Sequence, residues 1–157
     1  MSYEANTPSV NHRGPKMLSL TRIGIAIFTM TLVLGPIYTV DDYSVVSNLI
    51  SELGALHTQN NFIMIIGFIA LGGCIAIDGL RPFRLALLPF ILFGVAMAIV
   101  GIFPHKPLAT TLEFNTTIHN IHGAIASIAG TVITVGFIWQ GFRNVEIREL
   151  CAFIWLQ

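Results

Sequence analysis

Charge is scarce in this sequence. Eight Lys and Arg and eight Asp and Glu amount to 10% of its 157 residues, whereas a soluble domain carries roughly 25%. The net charge of zero and the lack of a basic stripe exclude a nucleic-acid binder. Cysteine is nearly absent: Cys74 lies inside an apolar run and Cys151 beyond the last one, so no disulfide framework is expected and both thiols read as structural. The chain also lacks a phosphate-cradling glycine loop, a nucleophile elbow, a paired-carboxylate arrangement, internal repeats and low-complexity tracts. No small-x-small cleavage site follows the first apolar run, which reads on as Tyr38-Thr39-Val40-Asp41, so that run is expected to be an uncleaved span.

Long apolar runs are what the sequence has in place of charge. Leu18–Val40, Phe62–Leu80, Leu85–Phe103 and Gly123–Phe142 each approach the ~20 residues that cross a bilayer as a helix. Charge alternates between them. Arg13, Lys16, Arg22, Arg81, Arg84, Arg143 and Arg148 fall on one side. Lys106 stands alone on the other, with Asp41, Asp42, Glu52, Glu113, His57, His105, His119 and His122. The positive-inside rule then predicts a cytoplasmic N-terminus and outward first and third connections. The expected architecture is an all-α transmembrane bundle. Residues 1–16 form a disordered cytoplasmic tail and 17–157 the helical domain.

Within that frame, Gly35-Pro36 is expected to end the first span, because proline removes a backbone donor. Tyr38 and Tyr43 fall at the height of an aromatic belt, and Trp139 at the opposite one. Residues 42–54 show helical spacing, with Val45, Val46, Leu49, Ile50 and Leu53 on one face and Ser47, Asn48, Ser51 and Glu52 on the other. This predicts a short amphipathic helix in the outer interface, capped by Asp42 or Ser44 and closed by Gly54 in the left-handed region, with its apolar face toward the bundle. Gly94, Ala98 and Gly101 on the third span, and Ala126, Gly130 and Thr134 on the fourth, read as packing stripes. Leu150–Leu156 reads as the stump of a fifth span or as an interfacial anchor led by Trp155. Without further spans the stripes lack partners, and a homo-oligomer or a helical partner completing the bundle is expected.

The candidate chemistry lies at the outer face. Glu52 stands one turn after Asn48 and beside Ser51, which favours an inward-facing, hydrogen-bonded carboxylate. His119 and His122, three apart, share a helix face at the mouth of the fourth span. Two readings follow. In one, Ser47, Asn48, Ser51 and Glu52 form a binding or latching cluster with His122, which bonds Glu52. In the other, Glu52 and His122 are catalytic, and His119 and His122, with His57 or His105 and Glu52, bind zinc. The bland expectation is that His122 bonds a neighbouring loop and His119 is exposed. Asp41, Asp42 and Glu113 read as solvated loop charges, and Asn115-Thr116-Thr117 as a chance sequon. A haem site is disfavoured, since all His candidates cluster at one rim.

The stretch Tyr43-Ser44…Ser47-Asn48-Leu49-Ile50-Ser51-Glu52-Leu53-Gly54 resembles the signature after the first span in the membrane family catalogued as domain of unknown function 998. That signature typically reads Ser, then Ile-Ser-Asp-Leu-Gly. Val100-Gly101-Ile102-Phe103-Pro104 resembles the family's Gly-x-Phe-Pro, and Ile121-His122-Gly123 its His-Gly. The likeness covers about residues 20–145 and departs at Glu52, where the family has Asp. It implies a polytopic protein of the prokaryotic inner membrane, generally with six spans, so the chain is expected to be a truncated member or a fragment. The layout is more distantly similar to the Frag1/DRAM/Sfk1 membrane proteins. No established activity comes with the resemblance. A non-enzymatic membrane protein with a structural, lipid-binding or small-molecule-binding outer cluster is the leading expectation. An intramembrane hydrolase or lipid-modifying enzyme at the outer leaflet is the alternative. The His-x-x-x-His pair of ceramidase-type hydrolases is missing, and no broken mid-membrane span points to a transporter.

Overall fold

The computed structural model describes residues 20–38, 43–81, 85–107 and 112–155, with side chains through residue 143. The described residues are helical, with no strand. Four helices follow in order: α1, Leu20–Tyr38; α2, Phe62–Leu80; α3, Leu88–Ile102; and α4, Thr116–Trp155. One 3-10 turn, Ile50–Gly54, lies between α1 and α2, and another, Leu85–Leu87, leads into α3. The segments Leu20–Tyr38, Phe62–Leu80, Leu85–Ile102 and Thr116–Arg143 are each long and apolar enough to cross a membrane. The disordered tail expected over 1–16, Asp41, Asp42, and the side chains of Arg148, Cys151 and Trp155 lie outside the described residues.

The helices pack in chain order, α1 on α2, α2 on α3 and α3 on α4. Small residues set the approach, because burying apolar surface gives little driving force between helices in lipid. The closest pair is Gly72 and Gly94. A Cβ on Gly94 would stand 2.7 Å from the backbone nitrogen of Ala76, and one on Gly72 would meet the Gly94 carbonyl. Gly101 sits against Ile69 and the Ile65 carbonyl, so the expected α3 stripe is the α2 contact. At the far end the Asp78 carboxylate accepts from the backbone N–H of Thr21 at 2.7 Å and pairs with Arg81 at 3.2 Å. An anion thereby caps the first turn of α1 from the neighbouring helix. The core gathers at the opposite end, which carries the histidines. There Leu53, Met64, Phe68 and Val100 are buried, with Phe28, Leu32, Tyr43, Met97 and Ile125 around them.

Four sequence expectations are corrected. Pro36 lies inside α1, which continues to Tyr38, and the Tyr38 hydroxyl donates to the Thr31 carbonyl at 2.9 Å across this last stretch. Residues 43–54 form a turn and a short 3-10 turn instead of one amphipathic helix, and no glycine among the described residues has positive φ, so Gly54 is not a left-handed cap. The apolar side of that segment faces outward, with Leu53 alone of its five apolar residues buried. The α4 stripe, for which no partner is expected without further spans, is exposed in the single chain: a Cβ on Gly130 would meet nothing within 4 Å, and α4 packs on α3 through Ala129 and through Gly136 against Pro89 and Phe90. Ser127, Thr131 and Thr134 bond the carbonyls four residues back at 2.8–2.9 Å, so this face holds its own polar groups satisfied without a neighbour.

Helix α4 also settles the C-terminal segment. Its backbone runs 40 residues without a break, about 60 Å, so Leu150 to Trp155 continue the fourth helix rather than beginning a separate fifth span.

Candidate functional site

Two connections meet at the His-bearing end, and a backbone hydrogen bond ties them together. Pro104 cannot extend α3, so the chain leaves it at Phe103, whose φ and ψ are extended. The next turn brings the His105 carbonyl to the Leu56 N–H at 3.0 Å, tying the α3–α4 connection to the α1–α2 connection. His57 and Asn60 take left-handed backbone with φ of 62° and 57°, a region in which His and Asn are enriched. These two reversals turn the chain from the 3-10 turn into α2, helped by a bond from the Asn61 side chain to the Ala55 carbonyl at 3.1 Å. The Asn60 amide also bonds the Tyr38 carbonyl at 3.3 Å, closing the loop onto the end of α1.

The first half of the site is a carboxylate held by its own loop. Glu52 Oε2 accepts from the Asn48 side chain at 2.7 Å and from the Leu49 N–H at 3.0 Å. Asn48 Oδ1 in turn accepts from the Ser44 N–H at 2.8 Å. Both protein bonds fall on one carboxylate oxygen. Among the described residues Glu52 Oε1 has no hydrogen-bond partner. Tyr43 stands close enough for that carboxylate to act on it: burial first, and then the Glu52 charge, raise the phenol above its ordinary value.

The second half is a cluster of three imidazoles. His105 and His122 are 7% and 3% exposed. His105 presents its ring edge-on to His119 at 4.7 Å between centroids and to His122 at 5.3 Å. His122 Nδ1 lies 2.6 Å from the Phe103 carbonyl oxygen and His105 Nδ1 3.2 Å from that of Lys106. A carbonyl only accepts, so each Nδ1 carries a hydrogen, and neither Nε2 has a hydrogen-bond partner among the described residues. His119 Nδ1 is buried without a partner, with Phe114 against its ring. Burial lowers the His105 pKa below 6.5. The Lys106 carbonyl and Glu52 oppose this, and the two neighbouring imidazoles reinforce it. Glu52 thus contributes to the electrostatics of Tyr43 and, as the smallest of the influences on it, of His105.

The predicted residues are distributed unevenly. Asn48 and Glu52 are bonded as the i, i+4 spacing implied. Ser51 is half-buried and Ser47 exposed, and neither side chain makes a hydrogen bond among the described residues. His122 bonds the α3–α4 connection; a His122–Glu52 hydrogen bond is not among those the described residues make. His119 is half-buried against His105, where exposure was expected. No group of three or more His, Cys, Asp or Glu among the described residues has metal-binding geometry, so the zinc set imagined on His119, His122, His57, His105 and Glu52 is not assembled. His57 stands exposed on its turn, and Glu113 is an exposed loop residue. Sequence reasoning underrated His105 and Tyr43. The proline before His105, which forces a turn at the end of an apolar run, was the available signal for the first.

No curated protein and no solved structure matches the chain. A family described as a protein of unknown function (DUF998) matches residues 22–155, which include every residue of the polar site and all of the four spans but the first two residues of α1. The chain is therefore an integral membrane protein that belongs to the DUF998 family.

Proposed function

We propose that the His-bearing end is extracytoplasmic, in a prokaryotic inner membrane with the N-terminus cytoplasmic, and that its polar site binds a lipid headgroup or another small polar molecule. The lopsided use of Glu52 carries this reading. Its Oε2 is committed to Asn48 and Leu49, while Oε1 is left for a ligand donor. Orientation is supported by the distribution of Lys and Arg.

Retention of lipid by the purified protein tests the site. Native mass spectrometry of wild type should show bound lipid that Glu52→Gln loses and Glu113→Gln keeps. The glutamine retains an acceptor oxygen for Asn48 and Leu49, so the change removes charge more than structure. Equal retention by both variants, or none by wild type, rejects the reading.

A catalytic role for Glu52 and His122, in an intramembrane hydrolase or lipid-modifying enzyme, is the second reading. It is supported by the His122 geometry: Nδ1 is held by the Phe103 carbonyl, which leaves Nε2 as the ring atom a substrate can meet. Headgroup release from a lipid, abolished in both Glu52→Gln and His122→Gln, would favour it over simple binding.

A further inference from the structure

The segment between α1 and α2 combines two features that a water-facing loop does not need together. Val45, Val46, Leu49 and Ile50 are exposed by 69%, 97%, 62% and 49%, forming a continuous apolar edge. Five backbone donors of the same segment find partners inside the protein. Ser47 and Asn48 N–H both bond the Ser44 carbonyl, at 3.3 and 2.9 Å, and Glu52 N–H bonds the Leu49 carbonyl at 3.0 Å. Ser44 N–H goes to the Asn48 side chain and Leu49 N–H to the Glu52 carboxylate. Water would satisfy these donors without help. At the membrane interface water is scarcer, and partners within the protein lower the cost of bringing irregular backbone there.

We infer that the Val45, Val46, Leu49 and Ile50 edge lies in the interfacial layer of the lipid leaflet at the His-bearing end, its apolar side chains reaching toward the acyl chains, with Asn48 and Glu52 pairing part of its backbone on the protein side. Lipid is the occupant because the edge continues a surface already given over to it. Ile37 in the last turn of α1 and Phe62 at the start of α2 are 79% and 55% exposed on two membrane-spanning helices, and the segment is strung between them. Residues 43–51 contain no charged side chain, and the one acid that follows, Glu52, is half-buried and bonded inward. The loop thus seats the polar site at the headgroup level of the leaflet. This inference does not depend on the site binding a ligand.

The test uses the full chain in lipid nanodiscs with Cys74→Ser and Cys151→Ser, and a nitrobenzoxadiazole label on Val46→Cys, Leu49→Cys or, for comparison, Glu113→Cys. Labels at 46 and 49 should be quenched several-fold more by doxyl-labelled phosphatidylcholine than the label at 113, and several-fold less by aqueous iodide. Iodide quenching at 46 and 49 equal to that at 113 would overturn the inference. So would shielding from both quenchers, which would mean that protein covers the edge. Val46 is almost fully exposed and makes few contacts, so replacing it leaves the fold intact, and Leu49 supplies an independent reporter.

Discussion

His122 Nδ1 lies 2.6 Å from the carbonyl oxygen of Phe103, so the first turns of α4 are fastened to the residue where α3 ends. The imidazole is almost fully buried, and no water replaces it cheaply. Replacing His122 by Ala should leave the carbonyl unsatisfied and open a cavity, costing about 1–3 kcal/mol. Thermal unfolding in mild detergent would show this as a clear loss of Tm. His119→Ala, which removes a ring with no hydrogen bond at Nδ1, should cost less. Equal losses would refute the fastening role.

Glu52 and Asn48 should behave as one unit. Removing Glu52 by an Ala substitution frees both the Asn48 amide and the Leu49 N–H, and hydrogen bonds to charged groups are worth about 1.5–3 kcal/mol. Asn48→Ala alone breaks the same side-chain bond and the bond to Ser44. A double-mutant cycle should show the pair costing less than the sum of the singles by at least about 0.5 kcal/mol. Glu113→Ala, on an exposed loop, should stay within about 0.5 kcal/mol of wild type. Additive losses at 48 and 52 would dissolve the unit.

Among the glycines, position decides tolerance. Gly94→Ala drives a Cβ to 2.7 Å from the Ala76 backbone nitrogen, and only a shift of α3 against α2 can relieve it. Gly130→Ala adds a methyl group where nothing lies within 4 Å. The first should lower Tm markedly; the second should leave it unchanged or raise it slightly, since Ala is the better helix former. A destabilising Gly130→Ala would reveal a partner packed on that face of α4.

Acidification should loosen the His-bearing end. The folded-state pKa of His105 lies below the ordinary 6.5, so the unfolded chain takes up its proton first as pH falls. The stability that His105 burial allows is complete above about pH 6.5 and is lost as pH falls through it. His119 and His122 oppose a charge on His105, and Glu52 favours one. Unfolding followed between pH 8 and 5 should therefore show a falling Tm, flattened in His105→Gln and steepened in Glu52→Ala. A flat wild-type profile would count against the assignment.

Helix α2 was readable to its ends, Phe62 and Leu80, because bilayer thickness and an uninterrupted apolar run define the same segment. Asn48 and Glu52 were readable as a pair for a related reason: four residues of local chain geometry bring them together, with no need of a distant neighbour. His122 was readable as a buried polar residue but not in its partner. Glu52 and a neighbouring loop were both candidates, and the end of α3 supplies the partner, the Phe103 carbonyl at 2.6 Å.

What the sequence alone determined, then, was everything governed by local periodicity and the thickness of a membrane: the spans, the scarcity of charge, the family and the Asn48–Glu52 pair. Only the tertiary structure decided which face of each element meets protein. Glycine stripes on α3 and α4 look alike in sequence, yet one packs on α2 and the other is bare. The apolar residues of 43–54 had an inner and an outer solution with equal periodicity, and the outer one holds for all but Leu53. In lipid, apolar side chains gain about as much from acyl chains as from a neighbouring helix, so hydrophobicity does not choose between faces. Close backbone approach and the satisfaction of polar groups do, and both depend on residues far away in the chain.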